Sequence, residues 1–529
     1  MRFSQDSAVS DCYNQLGQSL VTVMDRDLSS VQEARDLLAR AQVAAEAFAA
    51  ASQSEVDAVI TAMGRAAEQA AEPLARSAIA ETGMGRFEDK VTKNRFSAVT
   101  VRDYILPLKT CGVIKEDSER RIRELAVPMG TVAALVPTTN PTSTAIYKAL
   151  IAVKSRNSVV FSPHPRSTRC VGETVAVLSQ AARNAGAPDD LVQTVTTPTV
   201  EGTNELMRHP LTAVILATGG KAMVRAAYSS GKPAYGVGPG NVPAIVERTA
   251  DVGKAVADIV AGKDFDHGLL CSAENSLICD VPVEAQVRAE LSNQKAVFVT
   301  GAERERLERL MKDPRSGGIS SEIVGLAATQ IAQRAAIDVP GDTRVLVTQC
   351  SSVGPQEFFS REKLSPVLAF YLEDGWEACC RRSIELLQFG GIGHTLVIHC
   401  KEERVIQRFF EQKPAFRILV NTVSALGAVG ATTGLAPALT LGPGTLGGSS
   451  TSDNITPLHL INVKRLAYET KPYVAVDAPE QVAQAQEGAR RLYRPSTRSP
   501  VRAPTEAQVR RAVEEFLRDR RARRSHDPR

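Results

Sequence analysis

The 529-residue chain has no C-x-x-C pair, no apolar run near the ~20 residues that a membrane helix needs, and no G-x-G-x-x-G fingerprint. Its nine cysteines (Cys12, Cys111, Cys170, Cys271, Cys279, Cys350, Cys379, Cys380 and Cys400) are odd in number, which argues against a disulfide framework. Without paired spacing they also give no zinc site, so reduced thiols and no bound metal are expected. The start, "MRFSQDSAVSDCYNQLGQ", lacks a basic stretch followed by an apolar one; no secretory signal is expected, and the expected compartment is the cytosol. A broad basic face is missing too. Residues 495–529 hold ten Arg, no Lys and five acids, a net of +5 within a whole-chain net of +4, so the first 494 residues carry −1. A near-neutral body with a short basic end offers no footprint for nucleic acid.

What is present reads as a globular α/β chain, 43% hydrophobic and 23% charged, long enough for two or more domains. Helical periodicity opens it. In "SSVQEARDLLARAQVAAEAFAA", Ser30 and Glu33 stand in capping-box spacing, and Val31, Ala34, Leu38, Ala41, Ala45 and Phe48 recur at helical intervals. Short β-branched runs follow at 131–137, 157–163 and 212–220, separated by helical stretches such as 143–156. This is βαβ order, the mark of a parallel sheet covered by helices. A further set of strand-like runs follows the turn-rich "YGVGPGN", and a second α/β domain is expected from about residue 248.

Two loops close predicted strands where open α/β sheets bind ligands. In "VPTTNPTST", prolines on either side of Asn140 stiffen the backbone and preset its amide as a donor. In "ATGGKAMVRAAYSSG", Gly219 and Gly220 end a strand and open a helix whose N-terminal amides can face a phosphate; such a pair serves tight packing as readily. Cys271, in "GKDFDHGLLCSAENS", sits on a glycine-flanked loop, as a nucleophile or as a small inert hydrophobe. Cys279, in "SLICDV", reads as core packing. Cys379 and Cys380 lie in the helical "GWEACCRRSIELL".

Several long stretches in order give the chain a family resemblance: "ETGMGRFEDKVTKN" (81–94), "VPTTNPTSTAIYKALIAVKSRNSVVFSPHPR" (136–166), "ATGGKAMV", "YGVGPGNVPAIVE", "FDHGLLCSAE", "EKLSPVLAFY" (362–371), "GGIGHTLVIH" (390–399), "RILVNT" (417–422) and "TSDNITPLHLINVKRLAY" (451–468). From about residue 25 to 475 the sequence resembles the acylating branch of the aldehyde dehydrogenase superfamily, including its microcompartment-associated members. The resemblance implies an α/β, aldehyde dehydrogenase-like fold: a Rossmann-like NAD-binding domain (25–247, with a return segment near 440–475), an α/β catalytic domain (248–439) and a small oligomerisation arm.

The same resemblance assigns roles. Cys271 is the expected nucleophile. Its thioester is passed to coenzyme A as co-substrate, while Asn140 and the Cys271 backbone N–H hold the oxyanion. NAD is the expected cofactor, with Thr138, Ser162, His164, Gly219, Gly220 and Glu362 around it. "FSPHP" departs from the "KPSE" pattern of the hydrolysing branch, putting Ser162 and His164 where that branch has its ribose-binding lysine. The hydrolysing branch also carries a water-activating glutamate in an "ELGGK"-like segment. Residues 234–246 contain no acid, so transfer to a thiol is expected rather than hydrolysis. His394, in "GGIGHT", either orients coenzyme A or the nicotinamide, or braces its loop. His267 reads as loop structure.

Outside this core, residues 1–24 are an N-terminal extension and 493–504 ("YRPSTRSPVRAP") a Pro- and Ser-rich linker. Residues 505–524 set Val509, Ala512, Val513, Phe516 and Leu517 on one helical face and Arg510, Arg511, Glu514, Arg518 and Arg521 on the other. Linker and helix resemble the encapsulation peptides that dock cargo enzymes on microcompartment shell proteins, which places the chain in the cytoplasm inside a bacterial microcompartment. A membrane-surface helix or one packed on its own dimer or tetramer fits the same pattern. The expected substrate is a short-chain aldehyde, sulfoacetaldehyde being an alternative. A hydrolysing dehydrogenase and a structural cargo or scaffold protein are the competing functions.

Overall fold

The computed structural model describes residues 25–473 and Arg511; the expected extension (1–24), linker (493–504) and amphipathic helix (505–524) lie outside this range, Arg511 apart. Helix Arg26–Phe48 opens the fold four residues before the expected cap. Asp25 is the N-cap, its carboxylate accepting from the Asp27 N–H. Ser30, expected as the cap, lies inside the helix and presses on Gly202, where a Cβ would fall 2.0 Å from its hydroxyl. Close helix packing, not capping, explains that serine.

Strands β1 (Gly112–Asp117) and β2 (Ile122–Pro128) precede the first large sheet. That sheet holds β3 (Thr131–Val136), β4 (Ser158–Pro163), β5 (Val192–Thr194), β6 (Thr212–Thr218) and β7 (Ala234–Val237), in the order β5-β4-β3-β6-β7. The second has β8 (Val242–Val246), β9 (Glu274–Asp280), β10 (Ala296–Phe298), β11 (Val345–Gln349), β12 (Val367–Glu373), β13 (Leu396–His399) and β14 (Ile418–Val420), in the order β10-β11-β12-β9-β8-β13-β14. β15 (Ile461–Ala467) returns to pair with β2. Both large sheets are parallel throughout.

Parallel strands covered on both faces are buried along their whole lengths, as β3, β4, β8 and β9 are; in β9 the buried residues include the polar Glu274, Asn275, Ser276 and Asp280. Alternation then divides the core. Val132, Ala134 and Val136 of β3 pack with Ile146 and Leu150 on one face, while Ala133 and Leu135 pack with Leu38, Ala41 and Ile215 on the other. The seven-stranded sheet repeats the pattern: Ala244 and Leu277 join the first core, and Ile245 and Ile278 face Cys379, Leu386 and Leu387.

Among the described residues, a small second unit comprises 117–122 and 467–473. Within it Arg121 donates to the Glu469 carbonyl (2.9 Å), and its guanidinium lies 5.1 Å from the centre of the Tyr468 ring. Among the described residues no helix is long and apolar enough to cross a membrane.

Candidate active site

The chain leaves β3 toward β4 on one side and, after β6, toward β7 on the other. The crevice between the ends of β3 and β6 is therefore the switch point where such sheets bind ligands. From β3, Pro137–Asn140 leads into helix Pro141–Lys154, with Pro141 at its first position. From β6, Gly219 and Gly220 lead into helix Lys221–Tyr228. No side chain caps this second helix, and a Cβ on Gly220 would meet nothing within 4 Å. Gly219 and Gly220 line the cavity, so this uncapped helix start borders it, a setting suited to a phosphate.

The approach to β9 supplies the opposite wall. Cys271 stands three residues before β9, half-buried, in a cavity of about 340 Å³. The same cavity is lined by Thr138, Asn140, His164, Gly219, Gly220 and Glu362. Glycine is required behind the cysteine, because a Cβ on Gly240 would lie 2.0 Å from the Cys271 carbonyl oxygen and 3.5 Å from His394 Nδ1. The Gly240 N–H donates to Glu362 Oε1 at 2.8 Å, which ties the acid-free loop to the acid before β12.

Two expected residues do not reach the cavity. Ser162 is buried within β4 and shares a hydrogen bond with Thr203 Oγ1 (2.9 Å), so its hydroxyl is committed to the fold rather than to a ribose. His394 is buried behind the Cys271 loop with Nδ1 2.9 Å from Thr395 Oγ1 and Nε2 without a partner. Burial, reinforced by the Arg417 charge, pushes its ring down to about 3, so it is neutral at physiological pH. His164 does line the cavity, its Nδ1 accepting from the Arg166 N–H at 3.1 Å. His267 is turned inward with positive φ (54°), and burial holds it below the usual histidine range; a neutral ring cannot lower the pKa of Cys271 by ion pairing.

The electrostatics around Cys271 are unfavourable to a thiolate. Burial, and then the Glu362 charge, push its thiol up to about 12, against Arg417 and the N–H groups of Cys271 and Ser272. Burial likewise raises Glu362 to about 8, with the Gly240 N–H pulling the other way. A protonated thiol beside a protonated carboxyl is the resting arrangement at neutral pH.

The sequence reading passed over a group on the Asn140 side. Asn140 is the N-cap of its helix, yet its side chain makes no cap hydrogen bond. Its Oδ1 accepts from Lys93 Nζ at 2.5 Å, and its Nδ2 donates to Thr139 Oγ1 at 3.0 Å. Lys93 also pairs with Asp266, whose carboxylate takes the Arg86 N–H (2.8 Å) and Lys90 Nζ (3.2 Å) as well. The side chains of Lys90, Lys93 and Asp266 are buried. Burial pulls Lys93 down to about 8; for Asp266 burial opposes the shift, but Lys93 and Lys90 hold it below the usual carboxylate range. Asp266 has a φ of 47°, and a Cβ on Gly85 would fall 2.1 Å from its Oδ1. The available signal was "ETGMGRFEDKVTKN", which supplies Gly85, Arg86, Lys90 and Lys93 around one acid.

Comparison with known proteins agrees with this architecture. Residues 4–310 match the model of the aldehyde dehydrogenase family. The chain is 41% identical over 445 residues to the bifunctional aldehyde-alcohol dehydrogenase AdhE of Escherichia coli K12, covering 83% of this chain and 50% of that one. An acetylating aldehyde dehydrogenase of Geobacillus thermoglucosidasius superposes with a TM-score of 0.84 at 45% identity, covering 86% of this chain and all of the other. A propionaldehyde dehydrogenase of Rhodopseudomonas palustris, solved with bound CoA and an acylated cysteine, superposes with a TM-score of 0.75 at 26% identity over 82% of this chain and 97% of its own. The chain belongs to the aldehyde dehydrogenase family, and its α/β fold matches the acylating members. It spans about half the length of the bifunctional relative it matches.

Proposed function

We propose that the chain oxidises a short-chain aldehyde to its acyl-CoA with reduction of NAD, Cys271 carrying the acyl group between the two halves of the reaction. One observation carries this reading: Cys271 and Asn140 share one cavity, bordered by a loop with no acid to activate water. The relative solved with an acylated cysteine and CoA supports the same chemistry. Cys271 Sγ adds to the aldehyde carbon, the C=O π pair moves onto oxygen, and the thiol proton passes to solvent water in the cavity as the C–S bond forms, because the resting thiol is protonated. Asn140 Nδ2 and the Cys271 N–H receive the oxyanion. The helix start after Gly219 and Gly220, with Thr138, His164 and Glu362, would hold NAD, whose nicotinamide would supply the acceptor for the hydride leaving the thiohemiacetal C–H. The thioester left on Cys271 is then exchanged onto the coenzyme A thiol, restoring Cys271.

Propanal with NAD should give steady NADH formation only when CoA is added. Without CoA the enzyme should release at most one NADH per site and gain one acyl mass on the Cys271 peptide, and Cys271→Ala should lose both signals. Steady turnover to the free acid without CoA would establish the hydrolysing alternative.

We further propose, from the sequence of 493–529 alone, that the tail is a docking address for a shell protein, and that the body forms a homo-oligomer through the sheet of β1, β2 and β15, where Val113, Leu125 and Leu466 are exposed. A chain ending at Tyr493 should keep its turnover and oligomeric state while losing shell-protein binding. Loss of the oligomer would assign the tail to subunit packing instead.

A further inference from the structure

Building on the reading of Asn140 as the oxyanion donor, we propose that Lys93 is a positioning residue: clamped by Asp266, it fixes the Asn140 amide so that one Nδ2 hydrogen is left facing the reacting carbonyl. A carboxamide has nearly the same shape when rotated by half a turn, and in the rotated state Asn140 would offer the oxyanion an acceptor. Lys93 removes that state. An ammonium has donors only, so only Oδ1 can face it, and Thr139 Oγ1 takes one of the two Nδ2 hydrogens. The second is the hydrogen available to the substrate.

Four further observations point the same way. Asparagine at a helix start normally caps the first turn, and here the side chain is diverted to the lysine instead. Lys93 cannot wander, since it is buried between Asn140 Oδ1 and Asp266 Oδ2. Asp266 is itself fixed by the Arg86 N–H and Lys90, while its own N–H donates to Asp89 Oδ2 at 2.8 Å. Lys90 also reaches the Thr139 carbonyl at 3.3 Å, so the residue next to Asn140 is held by the same cluster. The cluster thus ends on an asparagine that lines the same cavity as Cys271.

The test is a double-mutant cycle in the full-length chain, with propanal, CoA and NAD as substrates. Lys93→Met and Asn140→Ala should each lower kcat by about 10²–10³-fold, leaving the KM for NAD within about twofold. Lys93→Met/Asn140→Ala should be no slower than Asn140→Ala, because the lysine acts only through the amide. Alkylation of Cys271 by iodoacetamide should be unchanged in Lys93→Met. Should Lys93→Met, which leaves Asp266 to Lys90 and the Arg86 N–H, fail to fold, Lys93→Met/Asp266→Asn keeps the net charge of the Lys90, Lys93 and Asp266 group as in the parent and carries the same expectation. The proposal is overturned if the lysine variant keeps kcat within about threefold of the parent, or loses the same factor with and without Asn140. If Cys271→Ala loses turnover but Asn140→Ala does not, the reading of Asn140 falls and this proposal with it, while the cysteine chemistry stands.

Discussion

The two walls of the cavity bury charge in opposite ways. Under Asn140, one carboxylate is shared by two lysines and a backbone N–H, so that Asp266 stays ionised below the usual carboxylate range despite its burial. Beside Cys271, Glu362 has a single backbone N–H, from Gly240, and burial raises it to about 8. The difference teaches what each wall can do. A cluster whose carboxylate stays ionised between two lysines and a backbone N–H holds geometry, whereas a weakly supported carboxyl changes its charge near physiological pH and with it the field at the neighbouring thiol. In the proposed mechanism, fixed support therefore lies where the developing negative oxygen would be received, and an adjustable charge lies beside Cys271.

Removing the acid from each wall should separate them most sharply. Asp266→Ala strands Lys90 and Lys93 in the interior, and breaking a buried pair this way typically costs about 3–5 kcal/mol. Glu362→Gln removes a carboxyl that is largely neutral at pH 7 and keeps an acceptor for the Gly240 N–H, so its effect on stability should be within about 1 kcal/mol. Denaturant unfolding of both variants at pH 7 measures the contrast. Equal losses would show that the two walls are built alike.

Much of this site was legible in the sequence because the residues concerned lie next to local landmarks. Asn140 stands between two prolines, Gly219 and Gly220 close a β-branched run, and Cys271 follows a glycine-bearing turn, so each announced a loop at a strand end. The two parallel sheets followed from βαβ order for the same local reason. What was missed depends on distance or on packing. Lys93 and Asp266 are 173 residues apart, and nothing near either one shows that they meet. Ser30 matched a capping box in spacing, but Asp25 caps the helix and Gly202 leaves room for the serine to pack. Ser162 lies inside β4 and is buried there, whereas His164 lies past the strand's end at Pro163, where the chain turns and leaves it at the cavity. The inward turn of His394 is likewise set by Gly240 and Cys271, which lie more than a hundred residues away in the chain.

The finest discrimination between the walls is a pH effect on Cys271 itself. Burial is the larger cause of its raised pKa and the Glu362 charge the second, so the carboxyl can act on the thiol only once it ionises. Because Glu362 ionises near pH 8, its charge is mostly absent at pH 7 and mostly present at pH 9. A negative charge arriving next to the thiol disfavours the thiolate and slows alkylation relative to a chain without it. Iodoacetamide should therefore modify Cys271 at similar rates in the parent and in Glu362→Gln at pH 7. By pH 9 the variant should react a few-fold faster, while both rates climb with pH because the thiol titrates near 12. Monitoring the Cys271 peptide by mass keeps the other cysteines out of the measurement. A variant that is slower at pH 9, or equally faster at both pH values, would show that Glu362 does not set the charge beside the nucleophile, and the two walls would then differ in geometry alone.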